Sequence, residues 1–223
     1  MKSNPQNTYP DYWNSYEKSF EKGFPDTIAQ TNFVVLDTET TGFDFKRDRI
    51  LSIGALRIKN ATIHPKAAFE VFVKQEIFAS QTVEIHGILQ QERTQQLPEV
   101  EALKILLKLL EKAVLVAHHT AFDVGMLNHA LHRNGLPKLK NPTLDTAILY
   151  NKSLKRSEQK KEGHYTLDEL AEKYNIPQTD RHTALGDAYI TAIAFLHILN
   201  VLRPVSLKQL LKKDRPWEFW KPF

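Results

Sequence analysis

The chain has 223 residues, with 30 Lys and Arg against 26 Asp and Glu, a formal charge of +4 and a pI near 9.1. Hydrophobic residues make up 42%, enough to bury the core of one globular domain, and the mild basic excess is compatible with a polyanionic partner without requiring one. There is no cysteine, which excludes disulfides, thiolate catalysis and cysteine-ligated zinc, and fits a reducing cytoplasm.

Residues 1–30 are polar yet rich in aromatics (Tyr9, Tyr12, Trp13, Tyr16, Phe20, Phe24) and punctuated by Pro5, Pro10 and Pro25. They lack an uninterrupted apolar stretch, which argues against a signal peptide. Residues 11–22 read as a helix, so this N-terminal extension is expected to pack on the core. At Asn32 the pattern changes: Phe33, Val34, Val35 and Leu36 form a buried strand that is expected to stop at Asp37. Residues 50–59 and 67–74 read as two further strands, close enough in sequence for an antiparallel hairpin. Pro98 opens a helix through residue 111 with Val100, Leu103, Leu106, Leu107 and Leu110 on one face. Residues 105–117 are the most apolar run outside the start. Lys108, Glu111 and Lys112 interrupt them, so no membrane span is expected.

Residues 114–117 are another buried strand, followed by a helix over 122–133 that closes at Asn134-Gly135. Residues 143–150 are helical or the end of a strand. The charged segment 151–164 reads as a surface loop. A helix over 166–174 starts at Thr166 with Glu169 three residues on, a capping box, and a long helix occupies 184–202. The resulting division is 1–30, a main domain over 31–202, and a tail over 203–223 that mixes basic residues with Trp217, Phe219, Trp220 and Phe223. Those aromatics either fold back on the core or present a surface for stacked bases or a protein partner. A hairpin first and strand–helix alternation later predict an α/β domain with a mixed sheet and helices on its faces.

Four carboxylates stand out by position. Asp37 and Glu39 are two apart at the end of a buried strand, so period-two geometry sends both to one face. Like charges that close repel unless a cation lies between them. Thr40, Thr41 and Gly42 then form a tight turn. Asp123 lies at the start of a helix and Asp187 in the first turns of the last long one, preceded by His182 and by Gly186, which leaves room for a close approach. Taken singly, Asp123 reads as a helix cap and Asp187 as a surface carboxylate. Taken together, the four are expected to converge on one point. All-oxygen donors suit Mg²⁺ or Mn²⁺, and two such ions about 4 Å apart hold both the attacking and the leaving oxygen of a phosphodiester displacement. Histidine is the side chain suited to take a proton from an attacking water near neutral pH.

The pattern resembles the DEDDh branch of the DnaQ-like 3′→5′ exonucleases, which includes epsilon-type polymerase proofreading exonucleases. Leu36-Asp37-Thr38-Glu39-Thr40-Thr41-Gly42 contains the family's D-x-E-T-T-G. His118-His119-Thr120-Ala121-Phe122-Asp123 is similar to H-N-A-x-F-D, and His182-Thr183-Ala184-Leu185-Gly186-Asp187 matches H-x-A-x-x-D. His86-Gly87-Ile88 and Tyr165-Thr166-Leu167 with Leu170 also resemble family segments, so the likeness spans about residues 32–199.

The resemblance implies a ribonuclease H-like fold with a mixed five-stranded sheet flanked by helices. It also implies two Mg²⁺ or Mn²⁺ ions held by Asp37, Glu39, Asp123 and Asp187, with Asp37 shared between them and Asp123 acting partly through water. His182 would be the general base. Thr40 would touch the terminal nucleotide, with His118 and Phe122 lining its pocket and His86 also on the substrate side. The departure is at His119 and Thr120, where the family usually has Asn and Ala; neither is a ligand, but both bear on how the turn is pinned. His118 and His119 as a metal pair is disfavoured, because adjacent residues rarely aim at one ion.

The expected reaction is 3′→5′ hydrolysis of single-stranded DNA, releasing nucleoside 5′-monophosphates. The rivals are an RNA-directed relative resembling RNase T or oligoribonuclease, and a non-catalytic nucleic-acid-binding or polymerase-docking module. Proofreading would require a DNA polymerase or replisome partner, because these residues contain no polymerase domain.

Overall fold

A computed structural model describes residues 9–75, 96–160 and 165–214. The first helix, α1 (Asp11–Lys18), precedes strands β1 (Phe33–Thr40), β2 (Ile50–Lys59), β3 (Thr62–Val73) and β4 (Gln96–Leu97). Helix α2 (Glu99–Leu110) leads to β5 (Val114–Ala117), and α3 (Ala121–Arg133) leads to β6 (Thr143–Asp145). Helices α4 (Thr146–Ser153), α5 (Leu167–Lys173), α6 (Ala184–Leu202) and α7 (Leu207–Lys213) complete the described chain.

The strands form one mixed sheet in the order β4-β3-β2-β1-β5-β6. β1, β2 and β3 run antiparallel in sequence, whereas β5 is parallel to β1, β6 to β5, and β4 to β3. The sheet therefore has six strands and not the five expected. The added one, β4, pairs Gln96 with Phe72 and Leu97 with Val73, and two residues are too few to leave a period-two signature. The ambiguous stretch from Thr143 resolves into both alternatives, a three-residue strand running straight into α4.

β1 is central and buried on both faces, so its side chains alternate between two cores. Val34 and Leu36 face α2, α3 and α1, with Leu103, Leu106, Leu107, Met126, Leu127, Trp13 and Tyr16. Phe33 and Val35 face the other helices, with Leu149, Leu170, Ile190, Phe195, Ile198 and Leu210. β1 does not stop at Asp37: its pairing with β2 continues through Asp37↔Gly54 and Glu39↔Ser52 to a bulge before Thr40. Asp and Glu are poor strand formers, but here the ladder of β2 carries the backbone past them.

Among the described residues of the N-terminal segment, α1 packs against the core. Trp13 and Tyr16 of α1 are fully buried, and Tyr16 Oη donates to Asn141 Oδ1 at 2.6 Å while accepting from the Lys140 amide at 2.7 Å. Within the tail, α7 buries Leu207 and Leu210, and Ser206 caps it through the Gln209 amide. Trp217, Phe219, Trp220 and Phe223 lie outside the described residues. The capping box at Thr166 and Glu169 forms as expected. Among the described residues the longest apolar segment is α6, not residues 105–117, and by length and composition alone it is long enough to cross a membrane. It lies in the core instead, with Ala188, Thr191, Ala192, Phe195 and Ile198 all fully buried against the sheet and α4.

Candidate active site

The end of β1 brings two carboxylates to one face, and α6 supplies a third. Carboxylate oxygens of Asp37, Glu39 and Asp187 lie within 4.8 Å of one another. This approach depends on Gly54, the partner of Asp37 across the β1–β2 ladder. A Cβ there would stand 2.2 Å from the Ala184 carbonyl carbon and the Leu185 nitrogen, so only glycine lets the start of α6 rest on the strand. Gly186 admits something nearer home than a ligand: a Cβ there would meet the Asp180 carbonyl oxygen of the preceding turn.

Asp123, in the first turn of α3 and 3% exposed, is not within that trio, and it accepts a hydrogen bond from Thr38 Oγ1 at 2.8 Å. It is close enough to raise the Asp37 pKa by repulsion. Burial, then Asp123, Asp187 and Glu39, push Asp37 well above the ordinary carboxylate range, and the Arg181 guanidinium opposes them. Burial followed by repulsion from Asp187 raises Glu39 to about 7. Burial raises Asp123 to about 7 against the hydrogen bonds it accepts, and burial raises Asp187 against the pull of Arg181. Carboxylates that resist ionising together are the expected signature of a site completed by a cation. The donor set is oxygen only, which fits a hard divalent ion such as Mg²⁺ or Mn²⁺.

Arg181 was not anticipated. It pairs with Asp187 through Nη1 and with Asp168 through Nε at 2.6 Å, so it ties the loop before α6 to α5. A cluster of four acidic groups needs a cation nearby, and an arginine beside a motif histidine was the available signal. His182 follows it in the left-handed region at φ 65°, an exposed residue whose amide donates to Asp187 Oδ1 at 3.2 Å.

The expected nucleotide-pocket residues divide. Thr40 is buried and its hydroxyl donates to the Gly42 carbonyl at 2.8 Å, shaping the turn. Phe122 is part of an aromatic cluster with Phe43 (centroids 5.6 Å apart) and Phe45 (5.9 Å), and Phe45 stacks on His129 at 5.8 Å. Phe43 is 83% exposed directly after the Thr-Thr-Gly turn, a position the sequence reading passed over. His118 is held on both ring nitrogens: Nε2 faces the Tyr165 carbonyl at 2.8 Å and Nδ1 faces Thr146 Oγ1 at 2.9 Å. Burial, with His119 second, pushes its pKa down to about 4, so the neutral ring donates from Nε2 and accepts at Nδ1. That leaves no lone pair for a metal and disposes of the His118–His119 pair. His86 lies outside the described residues.

A family model described as exonuclease matches residues 34–195. The PolC-type DNA polymerase III of Thermotoga petrophila is 31% identical over 214 residues, which cover 94% of this chain and 15% of that protein. The DNA polymerase III subunit epsilon-like protein of Rhodobacter capsulatus is 36% identical over 196 residues, covering 83% of this chain and 27% of the relative. The chain thus spans a minor part of the relatives' length. Among solved structures, exonuclease I of E. coli in complex with a dT13 oligonucleotide superposes with a TM-score of 0.67 over 78% of this chain and 42% of its own, at 20% identity. Exonuclease X in complex with 5′ overhanging duplex DNA superposes with a TM-score of 0.62 over 82% of this chain and 99% of its own, at 19% identity. At such identities the likeness to these two is one of fold.

Proposed function

This chain belongs to the DnaQ-like exonuclease family and has its ribonuclease H-like fold, and from that premise we propose that it removes nucleotides from the 3′ end of single-stranded DNA. The observation that carries the reading is the convergence of Asp37, Glu39 and Asp187 within 4.8 Å at the end of the central strand, with Asp123 buried beside them. Asp37, Glu39 and Asp187 would hold one divalent ion, and Asp37 with Asp123 a second. The ions, when bound, would neutralise charge on the scissile phosphate and on the leaving oxygen.

His182 takes the proton of the attacking water. The water oxygen bonds to phosphorus, the bond from phosphorus to the 3′-oxygen of the penultimate nucleotide breaks, that oxygen takes a proton from solvent to leave a 3′-hydroxyl, and a nucleoside 5′-monophosphate is released. His182 is exposed, and its amide donates to Asp187 Oδ1, which keeps it beside the carboxylates and open to a substrate. Phe43, Phe45 and Phe122 offer faces on which unpaired bases can stack, which favours a single strand over a duplex.

Residues 31–202 are the catalytic unit in this reading, with 1–30 and 203–223 as attachments. The polymerase names of its relatives support work beside a DNA polymerase, proofreading or repairing ends.

The test uses 5′-labelled DNA and RNA strands with free or blocked 3′ ends, in Mg²⁺, Mn²⁺ or EDTA. A metal-dependent ladder from free 3′ ends, faster on DNA and absent in Asp37→Ala, is expected. Faster cleavage of RNA would transfer the reading to an exoribonuclease, and binding without cleavage under either metal would make the chain a binding module. His182→Ala should lower turnover about 10²–10⁴-fold while retaining metal binding, because a general base contributes that much.

A further inference from the structure

The second motif begins with a turn, and α3, which carries Asp123, starts from it. His119 in that turn is in the left-handed region at φ 59°, and no side chain of α3's own N-cap holds the helix's first amides. The turn is held from outside, by the Tyr165 carbonyl on His118 and by the three residues at which β6 passes into α4.

Leu144 accepts from Thr120 Oγ1 at 2.7 Å, and Thr146 Oγ1 bonds His118 Nδ1 at 2.9 Å. Between them Asp145 spreads one carboxylate over two chain segments. Oδ2 accepts the Thr120 amide at 2.9 Å, and Oδ1 lies 3.3 Å from the His119 amide while accepting the Ala147 amide at 2.9 Å. Asp145 is only 9% exposed, and none of the ion pairs among the described residues includes it. Its charge is met by amides at the starts of two helices, where the backbone dipoles favour it. Its own amide is in turn held by Asp214 Oδ1 at 2.7 Å, at the end of α7.

We propose that Asp145 is a positioning residue for the second motif: it sets the left-handed turn at His119 and thereby aims α3, with Asp123, at the carboxylates of β1. This rests on the exonuclease reading of the site. The turn's departure from the family pattern agrees with it, since Thr120 adds a side-chain bond to the same junction. A carboxylate that only capped α4 would need the Ala147 amide and nothing else. Ser and Asn are as good as Asp in that role, so the two roles separate by substitution.

Asp145→Ser keeps a short acceptor for Ala147 but cannot span to Thr120. Asp145→Asn keeps one acceptor oxygen and turns an NH₂ group toward one of the two segments. Amide exchange of Thr120 and Ala147, Mn²⁺ titration, and kcat and KM on a labelled single strand are measured for each. Expected for Asp145→Ser is retained protection of Ala147, with Thr120 exchanging at least about tenfold faster and kcat lowered about 10–100-fold, since a small misplacement of a catalytic group costs that much. KM for the strand should stay within about threefold, because the stacking faces are untouched.

Wild-type kcat in both variants overturns the proposal, whether or not Thr120 exchanges faster. Loss of protection throughout β1 and β5 in both variants also overturns it, making Asp145 a fold residue. If the wild type cleaves nothing, the exonuclease reading fails, and the exchange of Thr120 against Ala147 still decides whether Asp145 holds the turn.

Discussion

His119 shows how a residue type follows from a backbone angle. At φ 59° a side chain branched at Cβ crowds the neighbouring carbonyl, whereas Asn, Asp and His reach this region several times more often than other residues. The family's usual Asn and the His of this chain therefore answer the same demand. His119→Asn should leave activity and melting temperature near those of the wild type. His119→Val should cost about 1–3 kcal/mol of stability and lower turnover, because the strained turn can relax only by moving Asp123. Chemical denaturation and turnover measured on both variants check this; a stable, fully active valine variant would show that the turn has slack.

At the scale of elements, the site is a meeting of β1 with the start of α6, and Gly54 on the intervening strand sets the distance. Gly54→Ala places a methyl 2.2 Å from the backbone of Ala184 and Leu185, where neither a rotamer change nor a small side-chain shift gives relief. The start of α6 must move away, carrying Asp187 from Asp37 and Glu39. Overpacking of this kind costs about 1–3 kcal/mol, and Mn²⁺ affinity should fall with it. A calorimetric titration that gives wild-type affinity for Gly54→Ala would mean that α6 does not position the third ligand.

None of that closeness is written in local pattern, although the elements themselves largely are. The span of α6, the ladder of β2 and the capping box of α5 follow from apolar periodicity and one Thr–Glu spacing. The carboxylates were legible because period two at Asp37 and Glu39 coincided with three ordered motifs. What escaped depends on contacts distant in sequence: the last residues of β1, paired by β2; the two-residue β4, paired by β3; and Asp145, whose partners are about 25 residues away. Arg181 escaped for the same reason, since its tie to Asp168 crosses from the loop before α6 to α5.

Over the whole molecule, the same cluster that suits a cation opposes folding without one. Glu39 and Asp123 keep their protons up to about 7, and burial and its acidic neighbours also raise Asp37 well above the ordinary carboxylate range. Between the ordinary carboxylate range and about 7 the folded protein thus binds more protons than the unfolded chain. Stability from these groups is fully present below the unfolded values and is lost as pH rises through the folded ones. In EDTA the melting midpoint should fall between about pH 5 and about pH 8. Asp214, raised to about 8 by burial, adds to the same slope but lies on α7 against β6, so EDTA data alone do not isolate the site. The difference between Mg²⁺ and EDTA does, because a bound cation restores the ionised carboxylates and leaves Asp214 as it was. That difference should be larger at about pH 8 than at about pH 5, and Asp37→Ala should shrink it while making the EDTA curve flatter. A metal-induced gain of equal size at both pH values would mean that the carboxylates at the end of β1 are not what the ion meets.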